Sequence, residues 1–301
     1  MQDRREAFMV PSLTNPGGWV VLGRESVPWD QQVWDGLDSA VHDEVKRSAV
    51  GAALLPLLGP MPDALTVPSD VIAADRLAIS EDAVTPIVEL YVDFTLTPAQ
   101  VQSEDRLLTG SSLATRAANL LAQAEDALVF QGDGVKDEPV FKLVNRRQSA
   151  GAGLVAAAPD EIVVSPVGGK AGRYGENTFA AVVDAYSRLE GRGHYGPFAL
   201  ALHDEVYADT FAPLPDTLIA PADRIRPLVP AGYVGLGTLP KSTGVLFSIG
   251  GNTIDLVLAS EPITSFTQVD EEGLFHFRVS ERFCLRVKDP TAIVRLRFAS
   301  K

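Results

Sequence analysis

Apolar residues recur every three or four positions after residue 29, and this spacing predicts an amphipathic α-helix. Acidic residues come early in the repeat, and Lys46 and Arg47 lie near its end, which is the charge order that a helix favours. We therefore predict a helix from about Asp30 to Val50, with an apolar face that packs against another surface. The repeat consists of Trp34, Leu37, Val41 and Val45.

A second helical repeat lies near the middle of the chain and contains no proline. We predict one long helix from about Ala114 to Phe130, ended by Gly132, because glycine readily adopts the backbone conformation that follows a helix. Two shorter helices are predicted at residues 178–189 and 204–211, with a strand at 197–202 between them. The apolar positions of the long repeat are Leu113, Ala117, Leu120, Leu121, Ala124 and Leu128.

Strict alternation of apolar and polar residues replaces the helical spacing at residues 87–94. This pattern predicts a strand with one apolar face, which suits a long exposed arm as well as the edge of a sheet. Residues 1–28 are rich in proline and glycine and are predicted to form an arm. The last third of the chain alternates repeatedly, as strands do. Helices followed by a terminal set of strands indicate an α+β fold.

The composition is that of a protein with a packed core, since 46 % of the 301 residues are hydrophobic and 22 % are charged. A formal net charge of −13 disfavours a protein that binds duplex nucleic acid. The lone Cys284 cannot form a disulfide within the chain, and its alternating context predicts a small buried residue. Neither a signal-peptide pattern nor a membrane-spanning apolar run is found, so we predict a cytoplasmic protein.

No motif for catalysis or metal binding is complete. The four histidines do not stand at metal-ligand spacings. His194 is the best enzymatic candidate because it lies in a predicted turn beside a strand; the alternative is a structural turn histidine. Glu125 and Asp126 point about 100° apart on a helix, so alone they form no acid/base pair. Their alternative is a polar edge or an interface contact. We predict no catalytic residue, no metal site and no cofactor.

Several predicted surfaces are unfinished in a single chain. They are the arm, the strand with an apolar face, and the first helix with its two tryptophans, Trp29 and Trp34. Such surfaces favour a self-assembling protein. A soluble enzyme and a binding module remain the alternatives on the residues alone.

The order of the segments resembles that of the encapsulins, nanocompartment shell proteins related to the major capsid proteins of tailed phages. The resemblance runs from about Trp29 to Phe298. Each segment alone is weak, and the match depends on five of them occurring in the family's order. They are VKRSAVGAALLPLLGP, VELYVDFTL, AEDALVFQGD, GHYGPFALALHDEVYADTF, and GVLFSIGGNTIDLVLASEPITSF leading into SERFCLRVKDPTAIVRLRF.

The resemblance implies a tailed-phage major capsid-like fold and a division into domains. The long helix would be the spine helix of a peripheral domain, and the extended loop would lie over a neighbouring subunit. The arm is longer than is usual in the family, and the glycine-rich loop at residues 150–175 also differs. The implied parts are an N-terminal arm at 1–28, an N-terminal helix at 29–59, an extended loop at 60–96, a peripheral domain at 97–154 and 251–301, and an axial domain at 155–250.

Two functional sites follow from the resemblance. A pore loop would occupy residues 213–218, where Asp216 is the only charge and would favour cations; the alternative is that Asp216 only solubilises the loop. An apolar trough for a cargo peptide would lie on the first helix and the C-terminal strands, and core packing is the alternative for each residue. The pore residues are Pro213, Leu214, Pro215, Asp216, Thr217 and Leu218. The cargo-binding residues are Val41, Val45, Ala49, Phe277, Val279 and Phe283.

The implied function is an icosahedral homo-oligomeric shell without catalysis of its own. It would enclose a cargo enzyme through that enzyme's C-terminal targeting peptide, and the family's common cargoes are ferritin-like iron-oxidising proteins and dye-decolourising peroxidases. Roles in iron storage or oxidative stress would then come from the cargo. Neither nucleic acid nor a membrane is an expected partner. The rival predictions are a prophage or viral capsid protein and a small-molecule enzyme.

Overall fold

The structure is a computed structural model, and it describes residues 23–72, 78–80, 83–135, 138–169, 173–213 and 218–299. The arm predicted at residues 1–28 therefore lies outside the described residues, except for its last six. The helices are α1 (Gln31–Ser48), α2 (Gly51–Leu54), α3 (Pro98–Gln102), α4 (Glu104–Leu107), α5 (Thr109–Gln131), α6 (Leu154–Ala157), α7 (Glu176–Gly191), α8 (Asp204–Asp209) and α9 (Pro221–Ile225).

The strands form two five-stranded sheets and two short two-stranded pieces. In chain order they are β1 (Leu57–Leu58), β2 (Thr66–Pro68), β3 (Val71–Ile72), β4 (Ile79–Ser80), β5 (Val84–Pro86), β6 (Val88–Leu96), β7 (Asn145–Arg147), β8 (Asp160–Val164), β9 (Phe198–His203), β10 (Gly232–Leu236), β11 (Thr243–Ser248), β12 (Ile254–Val269), β13 (Phe275–Val287) and β14 (Ile293–Phe298).

The first predicted helix is confirmed as α1, within two residues of each predicted end. The side chain of Asp30 caps it by accepting a hydrogen bond from the backbone N–H of Val33 at 2.9 Å. Lys46 and Arg47 lie in the last turn, where positive charge is favourable. The predicted apolar stripe is buried along its whole length and packs against α5 and β12.

The long helix is confirmed as α5, although it begins five residues before the predicted start. The reason is a cap from outside the repeat: the carboxylate of Glu104 accepts hydrogen bonds from the backbone N–H groups of Gly110 and Ser111, at 2.6 and 2.8 Å. Gly132 ends the helix with a φ of 61°, as predicted. Residues of α5 face α1 on one side and β6 and β13 on another, so most of the helix is buried.

The first sheet has the strand order β1-β12-β13-β6-β7. The implied division included residues 88–96 in the extended loop at 60–96, but as strand β6 they belong to this sheet. Strand β6 pairs antiparallel with β13 on one edge and with β7 on the other. The apolar face of β6 packs on α5, and its strand partner β13 lies nearly 190 positions later in the chain.

The second sheet has the strand order β10-β9-β11-β14-β8, in which the β10–β9 and β14–β8 pairs are parallel. The strand predicted at 197–202 is confirmed as β9, which is buried at every position. The helix predicted at 178–189 is confirmed as α7 and packs on this sheet. Strand β14 lies in the second sheet, although the predicted division placed residues 251–301 with the peripheral domain. The rest of that division stays a prediction.

The adjacent acids of α5 are both buried, with 2 % of Glu125 and 3 % of Asp126 exposed. The predicted polar edge is therefore wrong, because α5 is covered on the faces that both acids occupy. The carboxylate of Asp126 accepts hydrogen bonds from the backbone N–H groups of Val50 at 3.0 Å and Gly51 at 2.6 Å. These are amides at the start of α2, so Asp126 joins that short helix to α5.

Replacing Asp126 with alanine removes the buried acceptor of two backbone N–H groups. We expect Asp126→Ala to lower the free energy of unfolding by about 2 kcal/mol or more, since unsatisfied buried donors are costly. The measurement is a urea denaturation curve of the dissociated subunit. Asp184→Ala, which removes an exposed carboxylate from α7, is the control and should change stability by less than about 0.5 kcal/mol. Equal effects of the two substitutions would contradict this role of Asp126.

Cys284 is buried on β13, as its sequence context predicts. Burial raises the pKa of its thiol to about 12. At pH 8 only about one molecule in ten thousand then carries the reactive thiolate. We expect the folded chain to resist labelling by a water-soluble disulfide reagent at pH 8. The urea-unfolded chain should react rapidly with one equivalent of the reagent per chain. Rapid stoichiometric labelling of the folded chain would contradict the buried placement.

Candidate functional site

The six predicted cargo-binding residues lie in one buried cluster of the core, between α1 and the first sheet. None of them exposes more than 5 % of its surface. Phe277 stacks on Trp29 with ring centroids 5.0 Å apart, so the predicted trough is filled by protein side chains there. Their role in docking stays a prediction. The residues are Val41, Val45, Ala49, Phe277, Val279 and Phe283.

A surface pocket opens beside this cluster, where α1 faces the turn after β1 and the middle of β12. Val45 is the only one of the six predicted residues that lines it. Its walls are mainly aliphatic, and Leu58 is 40 % exposed there. The lining residues are His42, Val45, Ala52, Leu57, Leu58, Gly59, Pro60, Glu125, Leu258, Glu261, Pro262 and Glu281.

The segment of residues 57–60 forms one wall of the pocket because β1 pairs in parallel with β12. The backbone N–H of Met61 then donates to the carbonyl of Leu258 at 3.0 Å and fixes the turn against that strand. The sequence prediction missed this wall. The apolar run LLPLLGP could have indicated it, but in the sequence this run supported only the family resemblance.

The polar part of the pocket is acidic. Glu125 and Glu281 are buried in its lining, and Glu261 lies at its mouth within 3.7 Å of the His42 imidazole. Among the described residues that line the pocket, none is a lysine or an arginine. An apolar pocket of this kind suits aliphatic side chains of a peptide, and its carboxylates disfavour an acidic one.

The predicted pore loop lies only partly within the described residues. Leu214, Pro215, Asp216 and Thr217 lie outside them, whereas Pro213 and Leu218 flank the segment and are both exposed, Leu218 by 97 %. The loop leaves the end of α8 beside an aromatic cluster. That cluster consists of Tyr207, Phe211 and Tyr233, with the guanidinium of Arg226 5.2 Å from the Phe211 ring.

His194, the best enzymatic candidate, joins the turn after α7 to the segment before β14. Its Nε2 lies 2.8 Å from the hydroxyl of Thr291 and 3.8 Å from a carboxylate oxygen of Asp289. The described residues contain no group of three His, Cys, Asp or Glu side chains that could hold a metal ion. None of the described helices is long and apolar enough to span a bilayer.

Known proteins share this arrangement over most of the chain. A family model described as "Encapsulating protein for peroxidase" matches residues 20–284. The type 1 encapsulin shell protein EncA of Myxococcus xanthus is 28 % identical over 292 residues, which covers 91 % of this chain and 96 % of EncA. The diheme-cytochrome-encapsulin shell fusion protein of Kuenenia stuttgartiensis is 26 % identical and covers 89 % of this chain and 73 % of its own.

Solved structures agree on the fold. The virus-like particle from Pyrococcus furiosus superposes with a TM-score of 0.65 at 18 % identity, covering 88 % of this chain and 99 % of its own. The capsid of Myoviridae phage XM1 gives 0.55 at 13 % identity, with 82 % and 90 % covered. The predicted tailed-phage capsid-like fold is thereby confirmed. With the family match over residues 20–284, this chain belongs to the encapsulin family of shell proteins.

Proposed function

We propose that the chain assembles into a closed icosahedral nanocompartment in the cytoplasm and holds a cargo enzyme on its inner surface. The observation that carries the docking part of this proposal is the apolar pocket between α1 and β12. The shell has no catalysis of its own in this proposal. Its cargo is a dye-decolourising peroxidase or a ferritin-like iron-oxidising protein, and the family's description, which names a peroxidase, supports the first.

The pocket supports docking of a short peptide rather than of a folded domain, because it is small and side chains from several elements of one subunit surround it. Burying two aliphatic side chains there contributes about 1.5–3 kcal/mol each before the cost of ordering the peptide. A single site is therefore weak. Many copies of the pocket inside one shell, acting on an oligomeric cargo, raise the overall affinity through high effective concentration.

The six residues predicted from the sequence to bind cargo form the buried core behind the pocket, and in this proposal they support it. Val41 and Ala49 hold α1 against the core, and Val45 reaches the pocket wall from the same helix face. Phe277, with its stacked partner Trp29, anchors the start of that helix to β13. We therefore assign direct contact with cargo to Val45 and to the pocket residues beside it, such as Leu58 and Leu258.

The purified chain should form hollow particles in the megadalton range by mass photometry and negative-stain electron microscopy. Their absorbance spectrum should be that of protein alone, because a net charge of −13 per subunit disfavours packaged nucleic acid. A monomer or small oligomer would contradict the shell. Particles with a strong absorbance at 260 nm would instead support the capsid alternative.

Replacing Leu58 with aspartate places a charge on the exposed wall of the pocket without entering the core. We expect Leu58→Asp shells purified from the native host to assemble normally and to lose about tenfold or more of their co-purifying cargo, as a loss near 1.4 kcal/mol per site predicts. Leu143→Asp is the matched control, since Leu143 is 63 % exposed and lies away from the pocket. Unchanged loading in the Leu58 variant would remove the pocket from the proposal.

A further inference from the structure

The chain contains a two-stranded segment whose apolar side chains are partly exposed in a single subunit. We define the extended hairpin as residues 60–72, 78–80 and 83–86, which contain the pairs β2–β5 and β3–β4. Two-stranded pieces of this kind are marginally stable alone. Three of its apolar side chains are nonetheless open to solvent: Leu65 by 75 %, Ile79 by 57 % and Val84 by 60 %. In a shell protein, the available cover for such an edge is a second copy of the chain.

Strand β13 presents a row of cations to the base of this hairpin. Alternate side chains of a strand share one face, so Arg282 and Arg286 point the same way, and Lys288 continues the series just beyond the strand. We call Arg282, Arg286 and Lys288 the basic row. The intervening Cys284 is the buried apolar member of the same face and packs in a small cluster with Val67 of the hairpin.

The basic row holds successive points along one strand of the hairpin. The Arg282 guanidinium donates to the carbonyls of Pro62, at 2.8 Å, and Ala64, at 2.5 Å. Farther along, Arg286 donates to the carbonyl of Pro68 at 3.1 Å and to the carboxylate of Asp70 at 2.6 Å. These bonds are spread over residues 62–70 of the hairpin.

The row is itself fixed to the body of the subunit. Asp255 of β12 accepts two hydrogen bonds from Arg286, at 2.8 and 2.7 Å, and lies 2.8 Å from the Lys288 ammonium. Lys288 also donates to the side-chain oxygen of Asn252 at 2.7 Å. The backbone N–H of Ile72 donates to the carbonyl of Lys288 at 2.8 Å. Because the buried carboxylate of Asp255 accepts two hydrogen bonds from the planar Arg286 guanidinium, that side chain is held in one orientation.

The apolar contact around Val67 holds the hairpin to the sheet but has no preferred direction. Hydrogen bonds from a rigid guanidinium do have one. We infer that the basic row is a positioning device, which fixes the angle of the extended hairpin and so where its apolar edge packs on a second copy of this chain. This inference rests on the proposed shell and adds the residues that set its geometry.

Asp70 is the member of this network that can be changed without damage to the core. It is the carboxylate that the hairpin contributes to Arg286, its side chain is 36 % exposed, and its φ is 52°. Asparagine tolerates that conformation and has the same size. Asp70→Asn therefore removes the charge and leaves the fold of the subunit in place.

We expect Asp70→Asn subunits to be soluble and to keep the circular dichroism spectrum and urea midpoint of the wild-type subunit. In negative-stain images their particles should vary in diameter, whereas wild-type particles should have one diameter. Light scattering should show that the subunit concentration needed for assembly rises severalfold. A role limited to the stability of the subunit would move the urea midpoint and leave the particle diameter unchanged.

Asp93→Asn is the matched control. Asp93 is also a partly exposed carboxylate paired with an arginine of β13, Arg278, at 2.7 Å, but this pair joins β6 to β13 and does not contact the hairpin. A second pair of variants tests the other end of the row: Arg282→Met removes the donors to Pro62 and Ala64, whereas Arg282→Lys retains an ammonium donor and should recover the wild-type diameter at least in part.

The inference is overturned if Asp70→Asn and Arg282→Met give particles of the same diameter and yield as Asp93→Asn. If the wild-type chain itself forms no particles, the proposed shell fails, and the positioning role fails with it. Altered particles from Asp70→Asn and Arg282→Met, with wild-type particles from Asp93→Asn, support the assignment.

Discussion

The burial of α5 is the constraint on which the first sheet and the helices packed on it depend. A helix of 23 residues is enclosed by α1 on one side and by the first sheet on another, so the polar groups on its covered faces and at its covered start must find partners inside the protein. Glu104 meets this need at its start and Asp126 near its end, and both carboxylates accept backbone N–H groups. Of the two adjacent acids considered for catalysis in the sequence, Asp126 is therefore structural, because it connects the short helix α2 to α5. Glu104 connects α4 to α5 in the same way.

The same packing explains where a surface site is left. α1 packs its continuous apolar stripe against α5 and also contacts β12, whose pairing with β13 is irregular between Leu258 and Ile263. An opening remains between α1 and this irregular part of β12. The gap between them is the pocket. Its aliphatic walls come from side chains that would otherwise be core, and its acids come from α5, β12 and β13. The pocket is thus the open margin of the apolar layer that also forms the core, and the proposed docking would use that margin.

Local periodicity was sufficient to predict α1, α5, α7 and β9, because the residues that define each element are neighbours in the chain. It failed where the deciding partner is distant. The partner of β6 was not predicted, because β13 lies far along the chain. The start of α5 was missed because Glu104, which caps it, lies before the helical repeat. For the site, the sequence indicated which faces are apolar but not which are covered. Five of the six predicted docking residues are core side chains away from the pocket, and its wall at residues 57–60 depends on pairing with β12.

Strand β14 has a consequence for the order in which the protein can form. It lies between β11 and β8, so the second sheet contains a central member that is the last described strand in the chain. Until β14 is in place, β8 and β11 each present a bare inner edge, and unpaired edges of this kind join other chains readily. The second sheet is therefore complete only once β14 has paired with both neighbours. Subunits that collide before β14 has paired expose the free edges of β8 and β11, where wrong strand pairing can begin. Correct assembly therefore depends on β14 pairing faster than subunits collide.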